Sequence, residues 1–237
     1  MARTLEDSLG WADQGAKLVH EGLVGLDEAA FGEASELPGW SRRHLTAHLA
    51  ANSDAVGNLV HWAATGEPTP MYASPEQRTA DIEAGSTRTG DELRTWFDAS
   101  AARLSEAMTA LTPEQWSTEV VTAQGRTVPA SETPWMRARE VMVHSVDLGL
   151  GTTFADLPSD FLEALADDIV AKRSSTAGTP ALVLRPTDAH RRWQVAGSGA
   201  PVTVLAPLAE LVAYLAGRPA SVALTTGEPT PKLTAWL

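Results

Sequence analysis

Apolar residues recur at helical spacing through most of the first 150 positions, interrupted by capping residues and loops. The periodicity predicts a first helix from about Leu5 to Leu26. "ELPGWS" then reads as a loop, with Ser41 placed to cap a second helix, "RRHLTAHLAANSDAVGNLVHWAATG", that stops at Gly66. "SPEQ" predicts another start: Ser74 caps, Pro75 takes the first helical position and Gln77 completes a capping box, giving a short helix to about Ala84. Leu93, Phe97, Ser100, Leu104, Met108 and Leu111 share one face of a longer helix, about Asp91 to Leu111. "STEVVTAQGRTVPAS" then reads as irregular or as a loose hairpin around Gln124 and Gly125. The fourth long helix begins with Thr133 as cap and Pro134 at its first position, and Gly149 ends it. Four long helices joined by loops predict an antiparallel bundle.

After Gly151 the pattern changes. "PSDFLEALADDIVAKRSS" and "PLAELVAYLAGR" keep helical spacing, whereas "PALVLRP", "RRWQVAG", "APVTVLA" and "ASVALTT" read as strands. The expected class is α+β: a helical bundle over residues 1–151 and a smaller α/β domain over 152–237.

Composition narrows the function. The net charge of −12 speaks against a nucleic-acid partner or an anionic membrane surface, since both call for a basic face. The start "MARTLEDSLGW" lacks a basic stretch followed by an apolar run, and no segment is long and apolar enough to span a bilayer, so a cytoplasmic protein is expected. A monomer is compatible with the sequence. There is no cysteine, so there is no disulfide, no thiolate metal ligand and no thiol nucleophile belonging to the protein.

Two helices carry polar residues where the core should be. At 100° per residue, His48 and Asn52 fall in the apolar arc of the second long helix with Leu45, Leu49, Val56 and Leu59; His44 lies at its edge and His61 on the polar side. On the fourth long helix, Glu140, His144 and Asp147 share a face with Met136, Val143 and Leu148. A buried carboxylate is costly unless it is paired or bound to a metal. Glu140 and His144 stand at i and i+4 and can converge on one point. With His48 they form a two-histidine, one-carboxylate set, the composition of a zinc site with an open position, and Asp147 and Asn52 are placed to orient the imidazoles. An internal Glu–His hydrogen bond, or a core histidine bonded to a backbone carbonyl, accounts for the same pattern.

The stretches "LPGWSRRHLTAHLAANSDAVGNLVHWAATGEPTPMYASPEQR" and "VVTAQGRTVPASETPWMRAREVMVHSVDLG", with the tail "LVAYLAGRPAS", resemble the mycothiol-dependent maleylpyruvate isomerases of actinobacteria, within the DinB-like four-helix-bundle superfamily. The resemblance spans nearly the whole chain and is weaker between about 151 and 205. It implies a divalent metal, zinc, on His48, Glu140 and His144; mycothiol as the thiol cofactor; and an arginine of the second domain, matching Arg218, that serves an anionic substrate. Arg78, early in the "SPEQR" helix, and Arg126, in the "AQGRT" loop, are further candidates for the cofactor.

The implied reaction turns maleylpyruvate into fumarylpyruvate, a step of aromatic catabolism in the gentisate pathway. A thiolate adds to the cis double bond, the resulting single bond rotates, and elimination gives the trans product. Zinc would keep the thiol deprotonated near neutral pH, and an enolate formed on addition calls for a fixed cation. A mycothiol-dependent S-transferase on the same scaffold, or a metal-binding module without catalysis, remains open at this point.

Overall fold

The computed structural model describes residues 3–236. Helix α1, Leu5–Leu23, is capped by Thr4, which exchanges bonds with Asp7. It ends three residues short of Leu26 because Val24 is extended and Gly25 turns the chain at φ +77°. A short helix α2, Glu28–Gly32, capped by Asp27, follows and was not legible in the pattern. Helix α3, Arg42–Thr65, starts at Ser41 and stops at Gly66, which takes φ +78°. Then come α4, Pro75–Ser86, with Ser74 as cap; α5, Gly90–Thr109, with a Thr89–Glu92 capping box; and the single turn α6, Pro113–Trp116. Strands β1, Glu119–Val121, and β2, Thr127–Pro129, pair antiparallel, so of the two readings of this segment the hairpin is the one formed. Helix α7 is Thr133–Asp147.

Thr133 corrects one expectation. It is the first residue of α7 rather than its cap, because a 3₁₀ turn at Ala130–Glu132 runs straight into the helix. Its hydroxyl donates back to Ala130 O at 2.8 Å, so no side chain caps the helix start.

The long helices pack as α1 on α7, α3 on α5 and α3 on α7. The α1–α7 approach depends on Gly15: a Cβ there would stand 2.5 Å from Val141 Cγ2 and 3.0 Å from Met142 N. Gly15→Ala is therefore expected to destabilise the bundle by about 1–3 kcal/mol, the usual range for overpacking. A thermal melt of the variant checks this; an unchanged midpoint would mean that the two helices have room to part.

Two apolar clusters fill the bundle. One gathers Val19, Phe31, Leu45, Leu49, Phe97, Val141 and Leu148; the other gathers Val56, Leu59, Val60, Leu104, Met108 and Val120. Along α3 the changeover between them comes at Asn52, one turn after His48, so the buried polar residues of this helix sit beside the seam between two dry clusters.

The remainder begins with α8, Ser159–Ser174. A four-stranded sheet follows in the order β4-β3-β5-β6, with β3 Pro180–Pro186, β4 Trp193–Val195, β5 Ser198–Ala206 and β6 Ala223–Leu224. β3 runs parallel to β5, with Val183 opposite Thr203, and the other pairs are antiparallel. Helix α9, Leu208–Leu215, follows β5. The architecture is α+β, a helical N-terminal part followed by a sheet-containing C-terminal part, and the chain divides into compact units at Thr152/Thr153. Among the described residues no helix is long and apolar enough to cross a membrane.

Candidate metal centre

His48 lies on the inner face of α3, and Glu140 and His144 lie one turn apart on α7. His48 Nε2 stands 2.9 Å from Glu140 Oε2, and His144 Nε2 stands 3.3 Å from the same oxygen. One ligand atom from each residue lies within 4.8 Å of the other two. Two ligands on a tetrahedral zinc, with bonds of about 2.0–2.1 Å, are about 3.3 Å apart. The three side chains thus already stand at nearly the spacing such an ion requires, and the donor set fits a divalent metal.

Burial is the largest single influence on each of the three groups, and it opposes charge. It loses at Glu140, which both imidazoles bond to and hold well below the usual carboxylate range. It also loses at His144, where Asp147 and Glu140 together raise the imidazole's affinity for a proton. It wins at His48, whose pKa is lowered despite Glu140, with nearby His144 and Arg78 adding to the depression. Glu140 is therefore held as a carboxylate at the point where the two imidazoles meet, and a cation there would neutralise it.

The surroundings fix this geometry. His144 Nδ1 donates to Asp147 Oδ2 at 2.8 Å, and Asp147 is 1% exposed. That bond places the proton on Nδ1 and turns the Nε2 lone pair toward the centre, the usual way a carboxylate orients a metal-binding histidine. Arg42, at the start of α3, donates to Leu148 O at 2.9 Å and Gly149 O at 3.3 Å, tying the end of α7 to α3. The loop before α3 contributes Trp40, whose ring meets His48 edge-on at 5.5 Å. An open cavity of about 460 Å³ lies beside this loop, lined by Ser35, Glu36, Trp40 and His44 but by none of the three central residues.

Asn52 is buried one turn beyond His48 and bonds to Arg137 rather than to an imidazole. Arg137 is fully buried and donates through Nη1 to Asn52 Oδ1 at 2.9 Å and to Leu49 O at 2.8 Å. Its loss of solvent lowers its pKa to about 10, still far above neutrality, so it remains a cation beside Glu140. Arg78 comes from α4, and its Nη2 lies 3.4 Å from His48 Nδ1. Tyr72, on the loop before α4, is half-buried, and the Arg78 guanidinium carbon lies 5.9 Å from its ring centre.

Arg137 and Tyr72 were missed in the sequence. Arg137 could have been found, because it stands three residues before Glu140 on the same helix. Tyr72 lies in a loop, where no periodicity marks a residue as inward-facing.

The other candidates fall elsewhere. His44 is held in the α3 capping box, with Nδ1 2.7 Å from Ser41 Oγ and Nε2 3.7 Å from Glu83. His61 is exposed. Arg126 is exposed near the tip of the β1–β2 hairpin and makes no hydrogen bond or ion pair to the three central residues. Arg218 follows α9 in the C-terminal unit. Its backbone N–H reaches Ala213 O at 2.9 Å and that of Gly217 reaches Tyr214 O at 3.0 Å, the paired bonds of a Schellman ending. Its Nη1 donates to Ala216 O at 2.9 Å. Gly217, at φ +71°, lies so close to the C-terminal tail that a Cβ would stand 2.4 Å from Thr234 O.

Comparison with known proteins agrees along the chain. Residues 13–149 match the family described as the mycothiol maleylpyruvate isomerase N-terminal domain, and residues 156–234 match its C-terminal domain. The chain is similar to the crystal structure of a mycothiol-dependent maleylpyruvate isomerase, with 46% identity, a TM-score of 0.93, and coverage of 99% of this chain and 98% of that one. A histidine-to-alanine mutant of the mycothiol-dependent maleylpyruvate isomerase gives the same figures. No curated protein matches.

Proposed function

The chain belongs to the mycothiol-dependent maleylpyruvate isomerase family of enzymes, and on that premise we propose that it converts maleylpyruvate to fumarylpyruvate with mycothiol as the obligatory thiol and zinc held by His48, Glu140 and His144. The observation that carries this reading is the convergence of two buried imidazoles from different helices on one half-buried carboxylate. When bound, the metal and thiol together supply a thiolate at neutral pH, whose reversible addition makes the double bond rotatable.

The chain's own residues do the rest. Asp147 holds the His144 ring in one orientation. Arg137 supplies a permanent buried positive charge beside Glu140. Arg78, beside His48, offers a cation for a carboxylate of the substrate or a polar group of the thiol, with Arg126 as the second candidate. Arg218 is assigned to the substrate or the developing enolate, its fork matched to a carboxylate. In this reading residues 1–151 carry the metal and thiol and residues 152–237 contribute to the substrate site. The lack of cysteine leaves no protein thiol to compete for the metal or the electrophile. A reduced thiol cofactor places the enzyme in the cytoplasm.

The test is an ultraviolet assay of maleylpyruvate loss and fumarylpyruvate formation by thiol-free enzyme, before and after adding mycothiol. Turnover is expected only after addition. Full turnover without any thiol would rule out the addition–rotation–elimination route. Protein that binds the thiol but leaves maleylpyruvate untouched would point instead to S-transfer to another electrophile.

A further inference from the structure

Arg137 is 2% exposed, and burial lowers its pKa only to about 10, so a charged guanidinium lies inside the bundle. Its Nη1 donates to Leu49 O at 2.8 Å and to Asn52 Oδ1 at 2.9 Å. Its Nη2 is buried and finds no hydrogen-bond partner among the described residues. The ring centre of Phe97, a residue of the apolar core, lies 5.8 Å from the guanidinium carbon. Leaving a donor of a buried charge unpaired costs stability, and an apolar side chain in its place would avoid that cost. Stability therefore does not account for an arginine here.

Its position does. Both acceptors belong to α3, and Leu49 is the residue after His48. Arg137 lies on α7, three residues before Glu140. The two Nη1 bonds thus join the helices about one turn from the point where His48 Nε2 and Glu140 Oε2 meet at 2.9 Å. Arg42 does the same on the far side: from the start of α3 it reaches Leu148 O and Gly149 O, one turn past His144. The start of α3 meets the end of α7 and a later turn of α3 meets an earlier turn of α7, so the two arginines bracket the three candidate ligands. α3 and α7 share less packing than α1 with α7 or α3 with α5. The helix pair that carries the ligands is the one that apolar contact fixes least.

We propose that Arg137 is a positioning residue for the metal centre, setting the register of α3 on α7 so that His48 and Glu140 stand at metal-binding distance. This deepens the reading above and rests on its metal assignment. Asn52 is the acceptor that aims the guanidinium, so its buried amide serves the metal through Arg137 rather than through an imidazole. Ligands already held at the right separation bind a metal without first having to order two helices, and the avoided ordering cost appears as affinity.

The test uses full-length protein stripped of metal with a chelator, in three forms. These are wild type, Arg137→Lys, and Arg137→Met combined with Asn52→Leu, which replaces both polar partners by apolar groups. Zinc affinity is read by competition with a chromogenic chelator, ligand geometry by the visible absorption of the cobalt-substituted proteins, and the fold by thermal melts without metal. The double variant is expected to bind zinc about 10–100-fold more weakly and to show an altered cobalt spectrum. Its metal-free melting midpoint should stay level or rise, since a buried charge with an unpaired donor has been removed. Arg137→Lys should recover part of the affinity, because an ammonium can still donate to an acceptor on α3. Wild-type affinity and an unchanged cobalt spectrum in the double variant overturn the proposal. So does a loss of affinity that comes with a lowered metal-free midpoint, because Arg137 would then be holding the fold and not the site. A wild type that takes up neither zinc nor cobalt overturns the metal assignment itself, and this proposal with it.

Discussion

His48→Ala is expected to leave the protein with less than about a tenth of the wild-type metal content and with turnover at background. Glu140 and His144 come from one helix at i and i+4, and His48 is the proposed ligand that makes the site span two helices. Without it two protein ligands remain, whereas catalytic zinc sites hold three and keep one position open. Activity should fall with the metal, because a free thiol titrates near pH 8.5 and little thiolate would then be present at pH 7. Elemental analysis of wild type and variant purified side by side checks this. His44→Ala is the control and should keep its metal, since its ring belongs to the α3 cap and to Glu83. Full metal content in His48→Ala would sink the ligand assignment, however inactive the variant proved.

Arg218→Ala is expected to lose about 10²–10³ in kcat while keeping its fold and its metal, and Arg218→Lys to recover only part of the loss. The competing explanation is local. Arg218 donates to Ala216 O at the end of α9, and a cation there gains roughly 0.3–1 kcal/mol from the helix dipole. That role would cost stability and leave kcat alone. The catalytic role would do the reverse, because a dianionic substrate approaching a protein of net charge −12 needs a local cation. Steady-state kinetics together with a thermal melt separates the two. A well-folded Arg218→Ala enzyme with near-normal turnover would return Arg218 to the helix end and move anion binding to Arg78 or Arg126.

Much of the local structure follows from the sequence because it is decided within one turn of chain. Ser41, Ser74 and Thr89 cap helices because a side-chain oxygen three residues before an orphan N–H can reach it, and Gly66 stops α3 because it takes a left-handed φ freely. The inward placement of His48, Glu140 and His144 follows equally from the 3.6-residue period. The same local rule failed at Thr133, where an upstream 3₁₀ turn supplied the first helical geometry and left the hydroxyl to bond Ala130 O.

What only the tertiary structure decided is which residues from separate elements meet. No period on α3 and α7 states that His48 Nε2 and His144 Nε2 will share one oxygen of Glu140; that depends on how the two helices cross. Asn52, expected to steady an imidazole, instead accepts a bond from Arg137, because the packing of α3 on α7 brings that arginine to it from 85 residues away. Arg42 closes the end of α7 from 106 residues away. Spacing along a helix is dictated by covalent geometry, whereas the partner across the core is chosen by packing, and the chemistry of this site depends on the partners.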